Sequence, residues 1–294
     1  MNTRIEWADK VWNPITGCTK ISEGCRNCYA ERWALTRLKY NEKYKNGFKV
    51  TYHEDALQEP FRWKKPSRVF VCSMGDLFHE DIPFHFIDGV FEIMIYLQRH
   101  IFLILTKRPQ RVLEYYKSSL IFDALGEWEH IWIGVSCEDQ KTANERISIL
   151  LNTPAAFRFV SLEPLLGPVN LNNIKVNGVF TSALTQGVLV KEKLDWVIAG
   201  GESGPNARPM HPKWLVDIIN DCRKAKVPFF FKQWGKWAPI YYTDLDHKQC
   251  IKLTTDGKKE ILLSDPPVNM IKMSKELKKN IIYKTRYREI PVIK

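Results

Sequence analysis

Six short apolar runs, none alternating with polar residues, constrain the fold of this chain more than any other feature. They lie in "SRVFVCSMGD" (67–76), "HIFLILTKRP" (100–109), "HIWIGVSCED" (130–139), "FRFVSLEPLLGP" (157–168), "LDWVIAGGESGP" (194–205) and "VPFFFKQWG" (227–235). A half-exposed strand alternates, whereas a strand covered on both faces does not, and the second habit belongs to parallel strands packed between helices. Segments of helical spacing separate the runs, at 86–100, 110–119, 141–153 and 211–226. In the last, Trp214, Leu215, Ile218, Ile219 and Cys222 define one apolar face, with Asp217, Asp221 and Arg223 off it. Strand and helix in alternation predict right-handed βαβ units. The expected fold is therefore α/β, a full or partial TIM-like (β/α) barrel with parallel strands. The rhythm breaks at 169–193, an insertion with small strands of its own, and again beyond 240. The expected organisation is a barrel domain over 1–240 and a basic C-terminal extension over 241–294 packed on it.

The chain has 294 residues and a formal charge of +11, with no run of eighteen apolar residues and no apolar segment at its amino terminus. A cytoplasmic protein with no membrane partner is expected. In a reducing compartment clustered thiols read as metal ligands or catalytic groups before disulfides. The positive charge points to a polyanionic partner such as nucleic acid, whose phosphates reward lysine and arginine through counterion release. No Walker A sequence and no HExxH motif occurs, which leaves a nucleoside triphosphatase or a zinc hydrolase without support.

In parallel α/β folds ligands bind where strands end, because the loops converge there. The ends of the six runs carry Ser73 and Asp76; Thr106, Lys107 and Arg108; Ser136, Glu138 and Asp139; Ser161 and Glu163; Glu202 and Ser203; and Lys232, Gln233 and Trp234. The paired glycines of "AGGESGP" let a backbone approach a ligand closely.

Upstream of all six runs, "GCTKISEGCRNCYAERWA" (17–34) gathers three of the seven cysteines: Cys18, then six residues, Cys25, then two residues, Cys28. Two thiolates two residues apart can grip one metal or one face of a cluster. Gly17 and Gly24 supply the backbone freedom for such a loop. Two readings stand at this point. Structural zinc needs a fourth ligand, for which Cys72 or His79 is the remote candidate. A [4Fe-4S] cluster held by three thiolates leaves one iron open to a ligand. Cys72, Cys137, Cys222 and Cys250 read as small buried hydrophobes.

The three-cysteine loop followed by "YAERWA" resembles the radical S-adenosylmethionine (radical-SAM) superfamily. Within it, "WNPITGCTKISEGCRNCYAER", "SMGDLFHEDIP", "LTKRPQR", "WIGVSCEDQ", "SLEPLLGP", "WVIAGGESGPNARPMHPKW" and "FFFKQWGKW" resemble an uncharacterised, phage-associated family over most of the chain. The resemblance implies an enzyme in which Cys18, Cys25 and Cys28 hold a [4Fe-4S] cluster and SAM is cleaved to a 5′-deoxyadenosyl radical, with a flavodoxin or ferredoxin as electron donor. It implies Ser73, Gly75 and Asp76 at the SAM amino group, Ser136 and Glu138 at the ribose or methionine part, and Arg146 at the carboxylate. Glu163, Gly201 and Glu202 are further pocket candidates. The cysteine spacing of six and two departs from the usual three and two, and Asn27 replaces the usual aromatic, with Tyr29 just after the third cysteine. The expected substrate is a nucleic acid base or a nucleotide, with Trp234, Trp237, Tyr241 and Tyr242 as stacking platforms. The alternative is a non-catalytic nucleic-acid-binding protein with a structural zinc site.

Overall fold

The computed structural model describes residues 3, 5–118, 128–188, 190–239, 250–253, 268–272 and 288–291. Tyr241, Tyr242 and most of the basic extension lie outside the described residues, as does the Cys250 side chain. In chain order the elements are β1 (Lys10–Trp12), β2 (Ile15–Thr16), α1 (Tyr29–Leu35), β3 (Thr51–Tyr52), β4 (Arg68–Val71), α2 (Phe84–Tyr96), β5 (Ile101–Thr106), α3 (Pro109–Ser118), β6 (Ile131–Ser136), α4 (Gln140–Leu151) and β7 (Phe157–Leu162). They continue with β8 (Ile174–Val176), β9 (Val179–Thr181), β10 (Trp196–Gly200), α5 (Pro212–Ala225), β11 (Phe229–Gln233), β12 (Trp237–Pro239), β13 (Cys250–Leu253) and β14 (Val268–Lys272).

The principal sheet has the order β1-β4-β5-β6-β7-β10-β11. Each new strand joins the side last extended, with no reversal, which is the winding of a (β/α) barrel and not of a doubly wound sheet. All six apolar runs are strands of this sheet. The seventh strand, β1, has only three residues, too few for a run to be read from sequence.

The chain divides into two compact units, one formed by residues through Ser136 with Arg146–Phe159, the other by Cys137–Glu145 with Val160–Pro291. In the first, β1, β4, β5 and β6 pair in parallel, with Val69 opposite Lys10 and Phe102, and Phe102 opposite Ile131. Every residue of β6 is buried, which is why its sequence does not alternate. Aromatic rings fill the layer between sheet and helices. Trp7 lies 4.7 Å from Phe70, and Phe78 and Phe91 pack on Tyr115 of α3. Each such ring contributes about 1.5–3 kcal/mol by leaving water.

In the second unit β10 and β11 pair in parallel, and α5 buries Trp214, Leu215, Ile218, Ile219 and Cys222 on the expected face. The insertion is the hairpin β8–β9, turned by Asn177 and Gly178 at φ 50° and 86°, the positive values an Asn-Gly hairpin turn needs. Strands β12, β14 and β13 form a separate antiparallel sheet in that order. Trp234 is 5% exposed, with its ring edge-on to Phe231. It is a core residue and offers no face for a stacked base. Cys72, Cys137 and Cys222 are buried, as expected.

Gly134 of β6 lies under Phe159, and a Cβ there would come within 2.5 Å of the ring. Gly134→Ala is expected to cost about 1–3 kcal/mol by overpacking, read as a lowered urea midpoint. Burial is also the largest influence on His53, His79, His100 and His130, and each is held below its ordinary 6.5. Below that pH the unfolded chain takes up protons that the folded chain refuses, so stability falls with acidification and these groups add no slope at higher pH. The urea midpoint is expected to drop between pH 7.5 and pH 5.5.

Candidate functional site

In the first unit the chain leaves β1 and β2 and turns at Gly17 into the cysteine loop. Gly17 has φ +82°, and a Cβ there would sit 2.2 Å from the Lys49 carbonyl oxygen, so the turn admits only glycine. Its N–H donates to the Met74 carbonyl at 2.9 Å, and Gly17 bridges Gly75, which pins the loop beside the exit of β4. Tyr29 Oη donates to the Ser73 carbonyl at 2.5 Å, and Ser73 Oγ donates to Asn13 Oδ1 at 3.1 Å. Cys18, Cys25 and Cys28 are free and partly exposed. Cys28 packs on a small cluster of Ala30, Ala34, Tyr44 and Met74.

Arg108, just past β5, organises this end of the unit. Its Nε donates to Glu80 at 2.9 Å, and its Nη1 lies 3.3 Å from both Cys18 Sγ and Asp76 Oδ2. Its Nη2 donates to Thr19 at the carbonyl, 3.2 Å, and at Oγ1, 2.8 Å. Burial works against this charge, but Asp76, Cys18 and Glu80 outweigh burial and push the guanidinium's pKa up. Asp76 accepts from Thr106 Oγ1 at 2.7 Å, from the N–H groups of Phe78 and Lys107, and from Arg108. Burial, and then the Asp76 carboxylate, push the Cys18 thiol up to about 11. Thr19 Oγ1 also accepts from His79 Nε2 at 2.8 Å, a tautomer consistent with the Asp81 N–H donating to His79 Nδ1.

The donor set fits a thiolate-ligated cluster in its chemistry: three unbridged sulfurs, on partly exposed residues of one loop at the carboxyl ends of parallel strands. Among the described residues no three His, Cys, Asp or Glu side chains are gathered as a ligand set, so ligation requires the loop to draw its sulfurs together. Neither remote zinc candidate is poised to ligate. His79 has both ring nitrogens engaged, and Cys72 is buried with its thiol pushed up, first by burial and then by Asp76.

Lys107 Nζ donates to Ser136 Oγ at 2.6 Å, and Arg146 Nη1 donates to the Ser136 carbonyl at 2.6 Å. Arg146 is itself buried. In the second unit Glu163 pairs with Lys232 at 2.9 Å beside Gly200. Glu202 accepts from Arg208 at the backbone N–H and at Nε and Nη2. A Cβ on Gly201 would meet the Trp234 carbonyl at 2.1 Å, which explains the glycine by close chain approach. Glu138 is buried, and its carbonyl accepts from Leu166 N–H.

Sequence reasoning placed Arg108 only among strand-end polar groups and did not single out Thr19 or Glu80. The "TKRP" end of β5 was the available signal, a run of polar side chains closing a fully apolar strand.

Strand winding and site together define a parallel α/β protein with a three-cysteine loop at its strand ends. The chain belongs to the family described as "Protein of unknown function (DUF5131)", whose model matches residues 2–291. No curated protein matches it. Among solved structures it is similar to a double mutant of spore photoproduct lyase with bound AdoMet and dinucleoside spore photoproduct. That match is 10% identical with a TM-score of 0.41, over 95% of this chain and 72% of the other. A single-site mutant of spore photoproduct lyase matches at 10% identity and a TM-score of 0.39, with the same coverage.

Arg108 and Asp76 side chains are 4% and 7% exposed, whereas Glu80 is 60% exposed. Arg108→Met, which leaves a buried carboxylate without its counter-ion, is expected to cost about 3–5 kcal/mol in urea denaturation. Glu80→Gln is expected to cost at most about 1 kcal/mol.

Proposed function

We propose that this chain is a radical-SAM enzyme whose cluster is held by Cys18, Cys25 and Cys28. The observation that carries the reading is the fixing of a free three-thiol loop at the strand ends by Gly17, Asp76 and Arg108. A [4Fe-4S] cluster with SAM supplies one-electron reductive cleavage of the sulfonium, chemistry that no side chain provides. The chain's own residues hold and orient. Arg108 fixes the carbonyl and hydroxyl of Thr19 next to Cys18. Asp76 acts through Arg108, because its oxygens are already occupied by four protein donors.

Ser73 and Gly75 then serve the amino end of SAM through the backbone at the β4 exit. Lys107 and Ser136 offer a cation and a hydroxyl at neighbouring strand ends, and Arg146 steadies Ser136 from its carbonyl side. Glu138, Glu163, Gly201 and Glu202 are proposed as further ligand contacts in their own unit. The charge of +11 supports a nucleic acid base or nucleotide as substrate, and flavodoxin or ferredoxin is the proposed donor in a reducing cytoplasm. Among the described residues no helix is long and apolar enough to cross a membrane.

The test is anaerobic reconstitution with iron and sulfide, reduction by dithionite, and electron paramagnetic resonance with and without SAM. A reduced-cluster signal that shifts on adding SAM, with 5′-deoxyadenosine formed, is expected. The combined variant Cys18→Ala, Cys25→Ala, Cys28→Ala is expected to lose iron and keep its α/β circular dichroism. Full iron retention in that variant, or stoichiometric zinc in the isolated protein with no response to SAM, overturns the reading.

A further inference from the structure

A groove of about 440 Å³ opens in the first unit where β1 and β4 begin, lined by Asp9, Lys10, Arg62, Trp63, Lys64 and Lys65 among others. Lys10 opens β1 and Arg68 opens β4, while Cys18 and Asp76 follow the far ends of those strands. The groove therefore lies at the opposite strand end from the cysteine loop.

Its charge is only partly compensated. Asp9 is the single carboxylate in the lining, and Arg68 takes it up through its backbone N–H at 2.8 Å, Nε at 3.2 Å and Nη2 at 3.1 Å. The same contacts hold the Asp9 carboxyl below its ordinary range. Lys10 is attracted to the same Asp9 carboxylate and rests its ammonium 5.6 Å from the Trp63 ring. Among the described residues Arg62, Lys64 and Lys65 form no ion pair.

The wall carrying these cations is fixed. Arg99 Nε and Nη2 both donate to the Trp63 carbonyl, at 3.2 and 3.1 Å, and Ser67 Oγ donates to the Lys65 carbonyl at 2.9 Å. Behind Trp63 lies His100, whose ring meets the indole edge-on at 5.9 Å. Burial lowers the His100 pKa below its ordinary value, and the charges of Arg99 and Lys10 act in the same direction.

Cations on a fixed wall, with one planar guanidinium among ammonium groups, suit phosphate oxygens repeated along a chain. A peptide ligand would need pockets for its side chains, and this lining is mostly charged. We propose that the groove docks the phosphodiester backbone of a nucleic acid, whatever chemistry the cysteine loop performs.

The test is fluorescence anisotropy of labelled single-stranded and duplex 20-mers over a salt series. The probe proteins are the native chain, Arg62→Glu/Lys64→Glu/Lys65→Glu, and a control with the same charge change on exposed residues of the other unit, Lys141→Glu/Lys175→Glu/Lys224→Glu. The groove variant is expected to bind at least about tenfold more weakly, with the slope of log affinity against log salt reduced by about two to three, as loss of three phosphate contacts requires. The control is expected to keep its slope. Equal losses in both variants, or none in the groove variant, overturn the proposal. So does displacement of the 20-mer by inorganic phosphate beyond its ionic-strength effect, or by polyglutamate as effectively as by unlabelled DNA. All variants touch exposed side chains only, and circular dichroism verifies their folding.

Discussion

A buried ion pair between Asp76 and Arg108 sets the geometry on which the candidate site depends. Neither residue can be accommodated alone, because an ion left unpaired in a low-dielectric interior costs several kcal/mol. Each is therefore surrounded by further donors and acceptors, and these reach from the exit of β4 and the exit of β5 to the cysteine loop. The loop has no regular structure from Cys18 until its first short helical turn, and α1 has only seven residues. Its position comes from Gly17 at one end, Tyr29 at the other and Arg108 between them.

Close approach of chain to chain is the second constraint. Gly17 against Lys49, Gly134 against Phe159 and Gly201 against Trp234 each leave no room for a Cβ. Two of these contacts lie at strand exits. There the glycines keep the backbone tight enough for neighbouring loops to hold side chains at fixed positions. The third sits in mid-sheet and lets a phenylalanine ring lie flat on the strand.

The two ends of the first unit are built differently. At the carboxyl ends the charges are paired and largely buried, as in a site that orients a ligand. At the amino ends Arg62, Lys64 and Lys65 stand on the surface outside any ion pair among the described residues, as on a face that attracts a polyanion at long range and releases it in salt. A protein that both docks a large substrate and performs chemistry on a small part of it has use for each arrangement.

Local pattern was enough to determine six of the seven strands of the principal sheet, the four helices between them and the class. Runs such as "IWIGVS" lack alternation because both faces are covered, and α5 shows its buried face in its spacing. The cysteine loop was legible for the same reason, since its three thiols sit within eleven residues of one another. What the sequence could not decide is which strand-end polar group meets which. Arg108 and Cys18 are ninety positions apart, Lys232 and Glu163 sixty-nine. Nor could it show that Trp234 turns inward. Those outcomes depend on strand order and register, set by packing over the whole sheet. Only tertiary structure converts a list of polar strand ends into one arginine holding a loop, and a run of surface lysines into a groove whose single carboxylate is already taken.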